Sequence, residues 1–239
     1  MSQTVNSINA GIPLERRGLR DRVYDLVLDT LMSPDIEPGS RLSIDTVARD
    51  LKVSPTPVRE ALVLLERTGL VTREAHKGYR VSPPISDGQL EALFDARLVL
   101  EGGATELAAV NSTTIVPLLE EALVAHREIT GRVKKATSVG DIPVELLREY
   151  FAIDWSFHHL IFEGTQNPFL LDMSEAISTR VHRMRQTVHT GVSDADDAVV
   201  EHTAVLDAFK GGDPRVAGTA MRDHIERVRV RSRSDSQAP

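Results

Sequence analysis

Apolar and polar positions change period along this chain, and the changes mark out its parts. From Leu19 to Leu31, apolar Val23, Leu26, Val27 and Leu31 recur at helical spacing and predict a first helix. Pro38-Gly39-Ser40-Arg41-Leu42 predicts a tight turn. Ser43 or Asp45 then caps a short helix with Ile44, Val47, Ala48 and Leu51 inward, and Val53-Ser54 closes it. Ser54 or Thr56 caps the next helix, with Pro57 in the first turn, where a missing N–H costs nothing. Val58, Ala61, Leu62 and Leu65 fall on one stripe, and Gly69 ends the pattern. Leu70-Val71-Thr72 and Tyr79-Arg80-Val81 read as short strands around His76-Lys77-Gly78. Three helices followed by such a wing make a winged helix-turn-helix. A helical hairpin with no nucleic acid is the competing reading, and five consecutive fitting elements weigh against it.

Beyond Pro83-Pro84-Ile85-Ser86 only helical periods appear, and Ser86 is a good N-cap. Helices are predicted from there to about Asn111, over Pro117–Ala136, Val144–Glu163, Phe169–Thr190, Asp194–Lys210, and from Pro214 to about Arg231. Gly211-Gly212-Asp213-Pro214 is a stop and restart, with Asp213 as N-cap and Pro214 in first position. The expected fold class is mainly α: an N-terminal winged helix-turn-helix and a C-terminal all-α bundle with an aliphatic core. The expected divisions are a mobile tail over 1–15, the winged domain over 16–82, a linker over 83–88, the helical domain over 89–233 and a tail over 234–239.

The 239 residues suffice for two modest domains. There is no cysteine, which excludes disulfides and thiolate metal sites and suits a reducing compartment. No apolar run has the length of a membrane span and no signal-peptide pattern opens the chain, so a soluble, cytoplasmic protein with no membrane partner is expected. The net charge of −7 looks wrong for a DNA binder. It is unevenly placed: residues 1–82 carry 12 basic and 11 acidic side chains, residues 83–239 carry 16 and 24. The first segment keeps a local basic face for phosphates, to which Arg41, Arg59, Lys77 and Arg80 contribute. Arg227, Arg229, Arg231 and Arg233 form a second basic run, read as a solvated helix end.

Ser54, Thr56 and Arg59 put polar donors at the N-terminal end of the third helix, where a recognition helix meets DNA. Pro38-Gly39-Ser40-Arg41-Leu42, Val53 to Leu62, Leu65-Glu66, Gly69-Leu70-Val71 and Gly78-Tyr79-Arg80-Val81 together resemble the N-terminal domain of the GntR family of bacterial transcription regulators. The resemblance spans about residues 16–82 and implies DNA contacts from Arg41, Ser54, Thr56, Arg59, His76 and Lys77. One position departs. Many relatives have an Arg that touches DNA where this chain has Pro55, which bears on the operator sequence and not on the fold.

Eight histidines stand out in the acidic half and the wing. Asp154 and His158 leave one helix face four residues apart. His202 lies on the fifth helix of the bundle and His224 on its last. Three imidazoles and a carboxylate suit zinc, or nickel, manganese or iron. Spacing alone leaves solvated or capping histidines as an equal alternative. His159, turned about 100° from His158, is not expected to be a ligand. His182 and His189 read as pocket lining or surface, and His126 as exposed.

The second half resembles the FCD effector-binding domain of the FadR-type branch, through Phe94 to Glu101, Asp154 to His158, Asn167, Glu201-His202, Gly212-Asp213 and Met221 to His224. That resemblance implies one divalent ion, zinc first, on Asp154, His158, His202 and His224, facing a pocket for a small carboxylate. Arg97 matches the family's first-helix arginine, which is placed to pair with such a carboxylate, with an i, i+4 ion pair to Glu101 as the alternative. The expected function is a metabolite-responsive regulator and not an enzyme, with repression as the expected sign. It acts as a homodimer on a palindromic double-stranded DNA operator. The rival is a metal-dependent hydrolase or oxygenase fused to a DNA-binding domain. No HExxH and no glutamate beside the ligands as an evident base speak for it. A purely structural metal is the third reading.

Overall fold

The computed structural model describes residues 14–31, 36–67, 69–75, 78–83, 85–138, 142–187 and 194–236. The chain divides between Pro83 and Pro84 into two compact units.

The first unit holds α1 (Leu14–Leu31), β1 (Arg41–Leu42), α2 (Ile44–Asp50), α3 (Pro55–Arg67), β2 (Val71–Glu74) and β3 (Gly78–Val81). Val23, Val27, Leu31, Ala48, Val58, Ala61, Leu62, Leu65 and Tyr79 form its core. Leu26, expected inside, is 48% exposed: its neighbour Val27 takes the inward position on α1. The Ser43 side chain accepts from the Thr46 backbone N–H and caps α2. Lys52, in the turn that follows, adopts φ 55°, a left-handed conformation uncommon outside glycine. Gly69 ends α3 at φ 78°, where a side chain would be strained. The turn expected at Pro38–Leu42 does more than turn. Arg41 and Leu42 pair antiparallel with Arg80 and Tyr79, so the sheet runs β1-β3-β2. A two-residue strand has too little period to be read from sequence.

The second unit is helical over its described residues: α4 (Asp87–Ala109), α5 (Ser112–Thr137), α6 (Val144–Gly164), α7 (Pro168–Thr187), α8 (Ala195–Gly211) and α9 (Pro214–Ser236). Ser86 caps α4 through a capping box with Gln89. Asp213 accepts from the Arg215 N–H at 2.9 Å and Pro214 opens α9. Gly212 stands before it at φ 74°, the left-handed helix stop. α5 begins five residues before Pro117, with Asn111 as its N-cap and no side-chain capping bond. α9 runs past Arg231 into the segment expected as a tail. The main core gathers Phe94, Leu119, Leu123, Phe157, Ile161, Phe162, Leu206, Phe209, Met221 and Ile225. α4 packs along α9, α5 lies against α6 and α8, and α8 lies against α9. Five of these helices, α4, α5, α6, α8 and α9, bring polar side chains together in the interior.

Candidate metal centre and nucleic-acid interface

In the first unit, α3 buries Pro57, Val58, Ala61, Leu62 and Leu65 and turns its other face to solvent. Ser54 is the residue before the helix. Ser54, Pro55, Thr56 and Arg59 are all exposed, clustered at the helix N-terminus. Unpaired N–H groups and the positive dipole end there favour phosphate oxygens. Arg41 on β1 is also exposed. Arg80 is committed within the wing, its Nε donating to Glu74 Oε1 at 2.7 Å and its Nη1 to the Gly39 carbonyl at 2.9 Å. His76 and Lys77 lie outside the described residues.

In the second unit, His158 on α6, His202 on α8 and His224 on α9 are buried, each with a ring nitrogen within 4.8 Å of the others. His158 Nε2 and His202 Nε2 are 3.1 Å apart. His224 Nε2 is buried with no hydrogen-bond partner. Asp154 is buried beside them, its Oδ1 4.0 Å from His202 Nε2. It groups with His202 and with His126, whose Nε2 is 3.7 Å from the same oxygen. His126, expected at the surface, is fully buried. It projects from the face of α5 that carries Leu119, Leu123, Ile129 and Val133 into the core. Phe157 stacks on His202 with ring centroids 4.3 Å apart, and Trp155 stacks on His158 at 5.5 Å.

The outward nitrogens of the three imidazoles are held as well. His158 Nδ1 lies 2.7 Å from Glu101 Oε2 on α4. His224 Nδ1 lies 2.8 Å from Glu201 Oε2 on α8. His202 Nδ1 lies 3.1 Å from His126 Nδ1. Behind each carboxylate stands an arginine. Arg97 Nε donates to Glu101 Oε1 at 2.6 Å. Arg231 Nη1 and Nη2 donate to Glu201 at 2.7 and 3.0 Å. Burial by itself would raise the Glu101 pKa, but Arg97 and His158 bring it down from 4.5 to about 2. Glu201 follows the same pattern, with His224 and Arg231 overcoming burial to reach about 2. Both are carboxylates with only lone pairs to offer, so the imidazole nitrogens facing them donate. Burial lowers His224 to about 4 against the opposing pull of Glu201, and lowers His202 well below its ordinary value. Neutral imidazoles with lone pairs turned inward are the protonation state a divalent ion requires.

No glutamate was expected beside the cluster as an evident general base; Glu101 and Glu201 do touch its histidines, 2.7 Å from His158 Nδ1 and 2.8 Å from His224 Nδ1. Held by arginines at about 2, they are poor bases. Of the C-terminal arginines expected to be solvated, Arg227 is exposed, whereas Arg229, Arg231 and Arg233 are held in ion pairs. Arg229 pairs with Glu91 and Asp95, Arg233 with Glu91, and Arg231 with Asp194 and Glu201. Arg97 does make the i, i+4 ion pair with Glu101, yet its Nη1 stays buried with no partner. His159 sits half-buried with Nε2 3.6 Å from Glu163. The His182 side chain and His189 lie outside the described residues.

A winged helix-turn-helix joined to a helical unit is the architecture of a DNA-binding regulator. Residues 19–81 match the bacterial regulatory proteins of the gntR family, and residues 92–227 match the FCD domain. The chain belongs to the GntR family of bacterial transcriptional regulators, in the branch that carries an FCD domain. It is 30% identical to an HTH-type transcriptional regulator of Streptomyces ambofaciens, covering 91% of this chain and 89% of that one. It is 26% identical to the transcriptional repressor NanR of Enterobacter sp. (strain 638), over 90% and 86% of the two chains. The solved structure of E. coli McbR/YncC shares the fold, with TM-score 0.68 at 20% identity over 92% and 99% of the chains. No helix among the described residues is long and apolar enough to cross a membrane.

Proposed function

We propose that this regulator senses a small carboxylate at a divalent metal in its FCD domain and converts that binding into a change in operator affinity. The observation that carries the reading is the buried convergence of His158, His202 and His224, with His224 Nε2 left partnerless inside the protein. A buried polar atom without a partner is costly, and a cation accounts for it. The donor set fits zinc best, with nickel, manganese or iron as alternatives, and Asp154 supplies the carboxylate. Such an ion, when bound, offers an open Lewis-acidic position to a ligand oxygen. Arg97 would hold the other end of an acid. Its Nη1 is a buried donor with no partner, and its charge is near enough to lower the His224 pKa. The Glu101 pair fixes the guanidinium through Nε and leaves that donor for the ligand.

DNA binding falls to Ser54, Thr56 and Arg59 at the α3 N-terminus, with Arg41, His76 and Lys77 flanking them. The operator is a palindrome read by a homodimer, and repression is the expected sign, as in relatives named repressors such as NanR. Exposed Val99 and Leu107 on α4, with Val110 at its C-cap, give the second unit apolar surface for a twin. A monomer by light scattering at micromolar concentration, with no pairing on DNA, removes the two-half-site arrangement. The cytoplasm is the expected compartment. A ligand can bias DNA binding only as far as its affinity differs between the arrangements of the protein. A thermal-shift screen of small carboxylates, with and without zinc, tests the sensor. An acid that stabilises only metal-loaded protein supports it. Stabilisation by zinc with no response to any acid leaves a structural metal instead.

A further inference from the structure

His126 has no role in the reading above, yet it is fully buried against the cluster. An imidazole that gives its Nε2 lone pair to a cation carries its remaining proton on Nδ1 and needs an acceptor there. His158 has Glu101 at 2.7 Å and His224 has Glu201 at 2.8 Å. His202 has neither carboxylate. Its Nδ1 faces His126 Nδ1 at 3.1 Å, and its ring is clamped on one face by Phe157. Two Nδ1 atoms at that distance share one proton: one ring donates and the other accepts. With His202 Nε2 given to an ion, His202 is the donor and His126 the acceptor.

We infer that His126 is the positioning residue of His202, accepting its Nδ1–H and so fixing the tautomer that leaves His202 Nε2 free for the metal. The inference rests on the metal reading. It assigns His126 the neutral tautomer with its own proton on Nε2. His126 Nε2 lies 3.7 Å from Asp154 Oδ1, beyond hydrogen-bond distance, and His202 Nε2 is 4.0 Å from the same oxygen. Through the Nδ1 contact α5 supplies to α8 the service that α4 supplies to α6. His126 also lies near Asp154 and His202 as a compact donor set, so a direct ligand role is the competing outcome. The Nδ1–Nδ1 contact argues against it: with Nδ1 accepting from His202, the neutral ring carries its proton on Nε2, the nitrogen that faces Asp154, and has no lone pair there for an ion.

The test is a zinc competition titration against a chromophoric chelator, on the full chain, for wild type, His126→Leu, His126→Asn and His202→Ala. Leu fills the space without an acceptor, and Asn places a carbonyl oxygen near the former Nδ1. Loss of a metal ligand's outer partner lowers affinity roughly 10–100-fold. His126→Leu should show that loss at unchanged one-ion stoichiometry, and His126→Asn should recover most of it. Wild-type affinity in His126→Leu overturns the inference, as does an Asn variant no better than Leu, which would mean packing alone. X-ray absorption of the zinc-loaded proteins supplies a second readout. The imidazole count should match in wild type and His126→Leu, and one fewer in the variant would make His126 a ligand and overturn the positioning role. If wild type takes up no zinc, nickel or manganese, the metal reading itself has failed, a result distinct from a loaded wild type indifferent to His126.

Discussion

Glu101→Ala is the sharpest probe of the interior. Arg97 and Glu101 are both 1% exposed, and Glu101 also holds His158 at 2.7 Å. Truncation leaves the guanidinium buried with no anion, added to an Nη1 that already lacks a partner. Removing one member of a buried ion pair costs about 3–5 kcal/mol. For a domain of this size, each kcal/mol moves the Tm by about 2–4 °C, so a fall of roughly 6–20 °C is expected. The assay is thermal unfolding of chelator-treated full chain, followed by fluorescence of Trp155. It is the one tryptophan in the sequence and stacks on His158, so it reports the second unit alone. Arg97→Met with Glu101→Leu removes both charges and keeps the volume, and should recover most of the loss, short of about 1–3 kcal/mol for the His158 Nδ1 left unpaired. A fall of less than about 2 °C for Glu101→Ala, or a double variant as unstable as the single, refutes the argument that burial of an unpaired charge dominates.

Arg59→Ala should weaken operator binding at fixed salt by about 1–3 kcal/mol if Arg59 reads a base edge, and unchanged affinity by fluorescence anisotropy would move the recognition surface elsewhere. His158→Ala should abolish metal uptake measured by mass spectrometry of the dialysed protein, whereas His159→Ala should not; equal uptake by both variants would contradict the ligand assignment. Metal-free protein should lose stability on acidification. His224 has a folded value of about 4 against 6.5, and Glu101 and Glu201 about 2 against 4.5. The unfolded chain therefore binds protons that the folded chain refuses, first between pH 6.5 and 4 and then between 4.5 and 2. Urea midpoints that stay flat from pH 7 to 4 would exclude a buried neutral His224.

Most of the frame was legible because local chemistry announced it. Ser86 with Gln89, Asp213-Pro214 and Gly69 each carry a boundary in their own side chain or its absence, and the structure uses them as read. The histidines were legible as a set because Asp154 and His158 share a helix face and because the FCD resemblance supplied the partners. What escaped depended on packing between helices distant in sequence. His126 looked exposed, since α5 offers one histidine among charged neighbours and only packing against α6 and α8, where it meets Tyr150 and His202, buries it. Glu101 showed as an ion-pair partner of Arg97, but its second oxygen meets His158 on α6, which no local period reveals. Arg231 looked like one of a run of solvated cations until α9 was laid beside Asp194 and Glu201.

One titration addresses the proposed coupling between DNA reading and acid sensing. Operator DNA is titrated with the full chain, zinc-loaded or stripped by chelator, with and without a carboxylate found to stabilise the loaded protein. The acid should change DNA affinity in the loaded protein and leave the stripped protein unaffected. An acid that shifts both forms equally, or neither, would contradict a sensor built on His158, His202, His224 and Arg97.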